Sequence, residues 1–247
     1  MGKTLGIFVI SMMVLAQTAA GQDRKGPTVL DGVFTAAQAE RGKEAYATHC
    51  GSCHSADLSG KSAPALKGDM FMDNWREDSL KVLFTYTATR MPSRAAGTLS
   101  QQTYLDIVSY MLSENEIPAG SKELTADAVN SIQLVGKNGP APIPKFALIT
   151  IVGCLVQADN EWRLVKASAP VRTRQEQPTD AELKASTAKA LGNGAYRLVY
   201  IDSLRPGFVP ESHVGQKLHG HGYLLSNDKG EGLSVTWLEA VASTCTE

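Results

Sequence analysis

The spacing of apolar positions changes character part-way along the chain. Up to about residue 112 it follows a helical period. Leu80, Leu83, Phe84 and Thr87 recur at i, i+3, i+4 and i+7, as do Tyr104, Ile107, Val108 and Met111, so each set shares one helix face. Thr35-x-x-Gln38, preceded by Phe34, is a capping-box pattern that opens a helix from Ala36 to about Ala47. Ser100, with Leu99 and Tyr104 at the staple positions, opens another, which Pro118 and Gly120 end. Gly42 falls inside the first of these helices, where glycine costs stability; it marks either a close helix approach or a tolerated defect. Residues 121–135 fit a helix or an extended wrap equally well.

Beyond residue 146 the pattern becomes strand-like. Ala147–Leu155, Trp162–Lys166, Tyr196–Ile201, Lys217–Leu225 and Leu233–Val241 are expected strands, with polar turns at Asp159-Asn160 and 227–230. Thr179-x-x-Glu182 caps a helix that stops at Gly192-Asn193-Gly194. Some five strands in a short span suggest a small barrel or sandwich. Between the two patterns, Gly136–Lys145 carries Pro140, Pro142 and Pro144 and is a semi-rigid linker by composition. At the other end, Lys3, the apolar run Leu5–Leu15 and the small residues Thr18-Ala19-Ala20 look like a removed signal peptide rather than a membrane span. The expected organisation is therefore a signal peptide at 1–21, a flexible leader at 22–34, a helical domain at 35–135, a Pro/Gly linker at 136–145 and a mainly-β domain at 146–247.

Composition adds exclusions. The 247 residues carry a net charge of −1, and residues 146–247 hold 11 acidic and 10 basic side chains. A nucleic-acid partner would call for a basic excess. Membrane association is not expected once the signal is cleaved.

The chemistry centres on Cys50-Gly-Ser-Cys53-His54. This spacing is a c-type haem attachment site: two thiols add to the two haem vinyl groups, and the following histidine ligates the iron. A redox dithiol does not need that histidine, and a zinc site would want a second close cysteine pair, whereas Cys154 and Cys245 are far apart. Export to the periplasm agrees with haem c. The histidine also needs an acceptor for its other ring N–H, which sets its orientation and basicity; a carbonyl near Pro64, ten residues on, is one option and an ordinary turn proline the other. Trp75 is either plain core or packs against the ring or a propionate. For the sixth iron position Met70, Met72, Met91 and Met111 compete. Met111 belongs to a helix face, Met70 and Met72 flank Phe71, and Met91 lies in a loop where Pro92 restricts the backbone. Met91 is therefore the preferred axial ligand, and methionine there raises the potential and suits electron transfer.

Residues 35–125 resemble a class I, single-haem cytochrome c domain, on the strength of Cys50–His54, the Pro64 loop, Trp75 before a helix, Met91-Pro92, and the closing helix from Ser100 through Tyr104, Ile107 and Met111. The tail Ser113–Gly120 is similar to that of cytochrome domains paired with quinoprotein dehydrogenases. The resemblance implies Cys50 and Cys53 as thioether positions, His54 and Met91 as axial ligands, a Pro64 carbonyl on His54, one haem c, and redox partner proteins such as a dehydrogenase on one side and a terminal oxidase on the other. The segments Val152–Leu155, Trp162–Leu164 and His213–Leu224 resemble small OB-fold-like barrels of exported proteins, although the helix near residue 180 comes earlier than in that fold. The fold class expected is thus multidomain: an all-α cytochrome c domain followed by a mainly-β, OB-like barrel. The function expected is single-electron transfer without bond chemistry; a peroxidase-like enzyme or a haem-based sensor is the alternative, and either would want an open sixth site.

Two features remain. Cys154 and Cys245 form an even pair in an exported chain and are expected to be disulfide-linked, against the alternative of two buried thiols. His219 and His221, two apart on a strand, share a face, which is expected to be solvated rather than metal-binding.

Overall fold

A computed structural model describes residues 26–204, 207–227 and 230–245; the expected signal peptide lies outside the described residues. Helices come first and strands after, as the change of apolar period implies. The helical half contains α1 (Ala36–His49), the single turn α2 (Gly51–His54), α3 (Gly68–Trp75), α4 (Leu80–Arg90) and α5 (Gln101–Glu114). α5 is its centre: every residue from Tyr104 to Leu112 is buried. α1 crosses α5 at Gly42, where a Cβ would stand 1.9 Å from the Asp106 carbonyl oxygen. Of the two readings of Gly42, the close helix approach is the one observed.

Thr35 caps α1, its Oγ1 accepting the Gln38 N–H at 3.1 Å. The expected capping box is only half made, because the Gln38 amide bonds both backbone groups of Leu124 instead, at 3.0 and 2.7 Å. That pairing fastens 121–135 as an extended wrap with a single 3-10 turn at Ala128–Asn130. The expected flexible leader is also corrected: among its described residues Val29 and Phe34 are fully buried, and Val29 N–H donates to the Gln133 carbonyl at 2.9 Å. Apolar side chains at 29 and 34 give this segment enough burial to offset its ordering entropy.

The second half contains β1 (Leu148–Ala158), β2 (Glu161–Ala167), β3 (Val171–Arg172), α6 (Asp180–Thr187), β4 (Gly194–Val199), β5 (Lys217–Asn227) and β6 (Gly230–Ala242). The strands run in the order β2-β4-β6-β5-β1-β3, and β1 also pairs with β2. That last pairing closes five strands into a ring, with β4 and β6 the parallel neighbours. Alternate residues fill it: Ile149, Ile151 and Leu155 from β1, Leu164 from β2, Leu198 from β4, Leu218 and Leu224 from β5, and Leu233 and Leu238 from β6. β3 is a sixth strand of two residues, too short to leave an alternation in the sequence. α6 ends at Thr187 rather than at the glycines, because residues 188–193 turn back to β2, where Gly192 N–H meets the Lys166 carbonyl at 3.0 Å.

The face carrying His219 and His221 is not solvated, contrary to expectation. Both imidazoles are buried. The connection from β2 to β4 folds over them: His219 Nδ1 lies 2.6 Å from Ser186 Oγ on α6, and His221 Nδ1 lies 2.7 Å from the Gln175 carbonyl oxygen; from the neighbouring strand β1, Thr150 Oγ1 lies 3.2 Å from His219 Nε2. Burial, with a smaller push from His221, lowers His219 from 6.5 to about 4, against the pull of Glu182. The unfolded chain therefore binds more protons than the folded one between those values, and stability falls as pH drops from about 6.5 towards 4. We expect His219→Gln to flatten that acid limb in denaturant titrations; an unchanged slope would show that His219 does not control it.

Candidate functional site

α1 ends at His49, and Cys50 serves both as its C-cap and as the residue before α2. The N–H groups of Cys53 and His54 both donate to the Cys50 carbonyl, at 3.1 and 3.0 Å. This one turn sets the two thiols at i and i+3, the spacing that brings side chains to one side of a helix. Cys50 is half-buried and Cys53 exposed, and neither is in a disulfide. Burial, then the neighbouring Cys53, pushes the Cys50 thiol up to about 11.

The loop after the turn folds back on it. Gly60 N–H donates to the His54 carbonyl at 2.9 Å and Ala63 N–H to the Cys53 carbonyl at 3.2 Å. Ser55 Oγ donates to the Gly60 carbonyl at 2.8 Å. Gly60 has φ +85, and a Cβ there would lie 2.7 Å from Ala65 N, so glycine is required on both counts. The reversal delivers the Pro64 carbonyl oxygen to His54 Nδ1 at 2.7 Å. With Nδ1–H donating there, Nε2 keeps its lone pair, the state in which an imidazole ligates a metal. His54 is 8% exposed.

Two side chains hold this loop that the sequence reading did not single out. Tyr46 OH donates to the Ser55 carbonyl at 2.7 Å, with its ring 5.4 Å from that of Tyr110. Asn115, the C-cap of α5, accepts the Gly68 N–H at 2.9 Å and donates to the Leu66 carbonyl at 3.0 Å. Tyr104, expected only as a staple and core residue, donates its hydroxyl to the Met91 carbonyl at 2.7 Å. Local periodicity marks the two tyrosines as apolar and Asn115 as a helix end; these partners of their polar groups lie outside the helices that carry them, and no local pattern signals that.

Met91 stands at the C-cap of α4, its N–H on the Thr87 carbonyl at 3.1 Å, and the Met91–Pro92 peptide is cis. Of its competitors, Met72 is partly buried on α3, as Met91 is at the end of α4, and packs against the helical core. Met111 is buried in α5, while Met70 is 55% exposed on α3. Trp75 packs on the edge of the helical core; its ring meets Tyr86 edge-on at 5.3 Å and lies under the Arg174 guanidinium at 4.9 Å.

Residues 37–111 match the family model for cytochrome C oxidase, cbb3-type, subunit III. The helical half is a cytochrome c domain. The match covers less than half of the chain and leaves the β-domain outside it. Comparison with curated proteins and with solved structures returned no match. A cytochrome c domain implies covalently bound haem c, and one domain is consistent with one haem. It suggests haem-based electron transfer and, in general terms, redox partner proteins. Among the described residues no helix is long and apolar enough to cross a membrane.

The donor set of the cytochrome c domain fits that group. Two cysteine sulfurs outside any disulfide sit one turn apart, beside an imidazole whose Nδ1 is engaged and whose Nε2 is left for a metal. Leu66, Trp75 and Phe84 pack on the same core but are only partly covered.

Proposed function

We propose that the chain is a periplasmic single-electron carrier in which Cys50 and Cys53 hold the haem by thioether bonds and His54 and Met91 take the two axial positions of its iron. When bound, the haem supplies a one-electron Fe(III)/Fe(II) couple. The observation that carries the reading is the 2.7 Å bond from His54 Nδ1 to the Pro64 carbonyl. It fixes the tautomer and orientation of the imidazole within the same turn that presents both thiols, an arrangement a plain dithiol or a core histidine does not need. On the other side, the Tyr104 hydroxyl and the α4 backbone hold Met91 at a helix end, and a thioether held in place favours electron exchange over ligand binding. Trp75 we read as a pocket residue. The redox partners are a dehydrogenase, quinoprotein in type, and a downstream acceptor; the matched family's name supports an oxidase in the latter role. The β-ring, with its parallel β4–β6 pair, supports an OB-like reading of the second domain. Its helix comes before the third strand of the ring, however, and we assign it no nucleic-acid role.

The test is Met91→Ala in the haem-loaded protein. It is expected to abolish the methionine–iron charge-transfer band and lower the reduction potential. The same losses in Met70→Ala or Met72→Ala, with Met91→Ala unaffected, would reassign the ligand.

A further inference from the structure

The second domain grips the first at the corner between α3 and α4. Arg172 of β3 is 5% exposed in its side chain and Asp78 4%, and they face each other at 3.3 Å. The Arg172 fork also donates to the carbonyls of Arg76, Asp73 and Asn74, at 2.7, 2.9 and 2.8 Å, taking up backbone acceptors at the C-terminal end of α3. Arg174 reaches the same Asp78 carboxylate at 2.6 Å and the Asn74 carbonyl, and covers the Trp75 ring. The linker joins in, with Arg76 Nη1 donating to the Pro142 carbonyl at 2.6 Å and Ala141 N–H to Glu77 Oε1 at 2.9 Å.

This corner is the root of α4. Glu77 is held at φ +67, a conformation disfavoured for a residue with a Cβ. Its N–H and the carbonyl of Asp78 bond Leu134, and Leu80 N–H bonds the Ile132 carbonyl at 2.8 Å. Asp78 thus presents its backbone to the wrap and its carboxylate to the barrel's arginines, two residues before a helix whose far end is Met91. A helix is stiff along its axis, so where its first turn is pinned affects where its C-cap lies.

We propose that Arg172 and Arg174 are positioning residues for Met91: the barrel braces the α3–α4 corner and thereby holds the distal arm closed over the haem iron. The proposal rests on Met91 being the axial ligand. Breaking the brace leaves the ligand in place but populates an open arm more often, and an external ligand that needs the open arm then binds in proportion to that population.

The experiment titrates imidazole into the ferric, full-length, haem-loaded protein, following the shift of the main haem absorption band and, where Met91 is present, loss of the methionine–iron band. Arg172→Ala/Arg174→Ala is expected to keep the band without imidazole and to bind imidazole roughly tenfold more tightly than wild type, within the usual range for coupled sites. Arg174→Gln alone, at a side chain 41% exposed, keeps the buried Arg172–Asp78 pair, so it tests the brace if the double variant does not fold; a smaller tightening is expected. In a Met91→Ala background no methionine is displaced, and removing the arginines should change imidazole affinity by less than about twofold. Wild-type affinity in both arginine variants, or equal tightening with and without Met91, overturns the proposal. If Met91→Ala alone leaves the band intact, the ligand assignment is what has failed, and the brace falls with it.

Discussion

Replacing both Cys50 and Cys53 by alanine is expected to move all of the haem into the organic phase on acid–organic extraction, whereas the native protein keeps it. The contrast is all-or-none because a thioether survives unfolding, whereas axial ligation depends on the folded pocket and is lost with it. The structure makes the double replacement the clean comparison. The thiols sit on one turn, one half-buried and one exposed, so a single variant retains one point of attachment and should still hold haem. Neither side chain belongs to the fully buried core, so the helical fold itself should survive. Complete extraction of haem from the native protein would rule out covalent attachment.

Breaking the Cys154–Cys245 link is expected to cost the barrel roughly 4–5 kcal/mol, on the chain-entropy argument for a loop of this length. The bond spans 91 residues with its Cα atoms 5.6 Å apart. The strand order explains how so distant a pair meets. Cys154 lies opposite Lys217 at the start of β5, and Lys217 lies opposite Ala242 near the end of β6. Beyond β6 the chain crosses the start of β5, where Cys245 N–H donates to the Gly215 carbonyl at 2.9 Å, and so reaches β1. Against a total stability of ~5–15 kcal/mol for a domain, that cost should move the urea midpoint of the barrel transition far to lower denaturant in Cys154→Ala/Cys245→Ala. Two cysteines labelled at 154 and 245 in denatured, unreduced protein, or a midpoint indifferent to reductant, would show that no such bond forms.

Much of the architecture was legible in local pattern. Helix starts at Thr35, Ser100 and Thr179 follow from caps that bond the residue three positions on, and a chain segment carries that information with it. The order of helices then strands follows from the change of apolar period near residue 146, and Cys50–His54 defines its own turn.

The misses share a cause. Gln38 was expected to close a box with its own cap and instead bonds Leu124, 86 residues away. His219 and His221 alternate like a solvated face, yet the β2–β4 connection covers them. The leader was polar enough to look loose, yet two of its apolar residues are fully buried. In each case the partner comes from elsewhere in the chain, and burial depends on what arrives rather than on what is adjacent. Spacing and capping are short-range and determine which segments form helices, which form strands, and where the thiols and imidazole stand relative to one another. Which strand closes the ring, and that Arg172 and Arg174 hold the corner of the haem domain, depend on long-range contacts, and only the folded chain decides them.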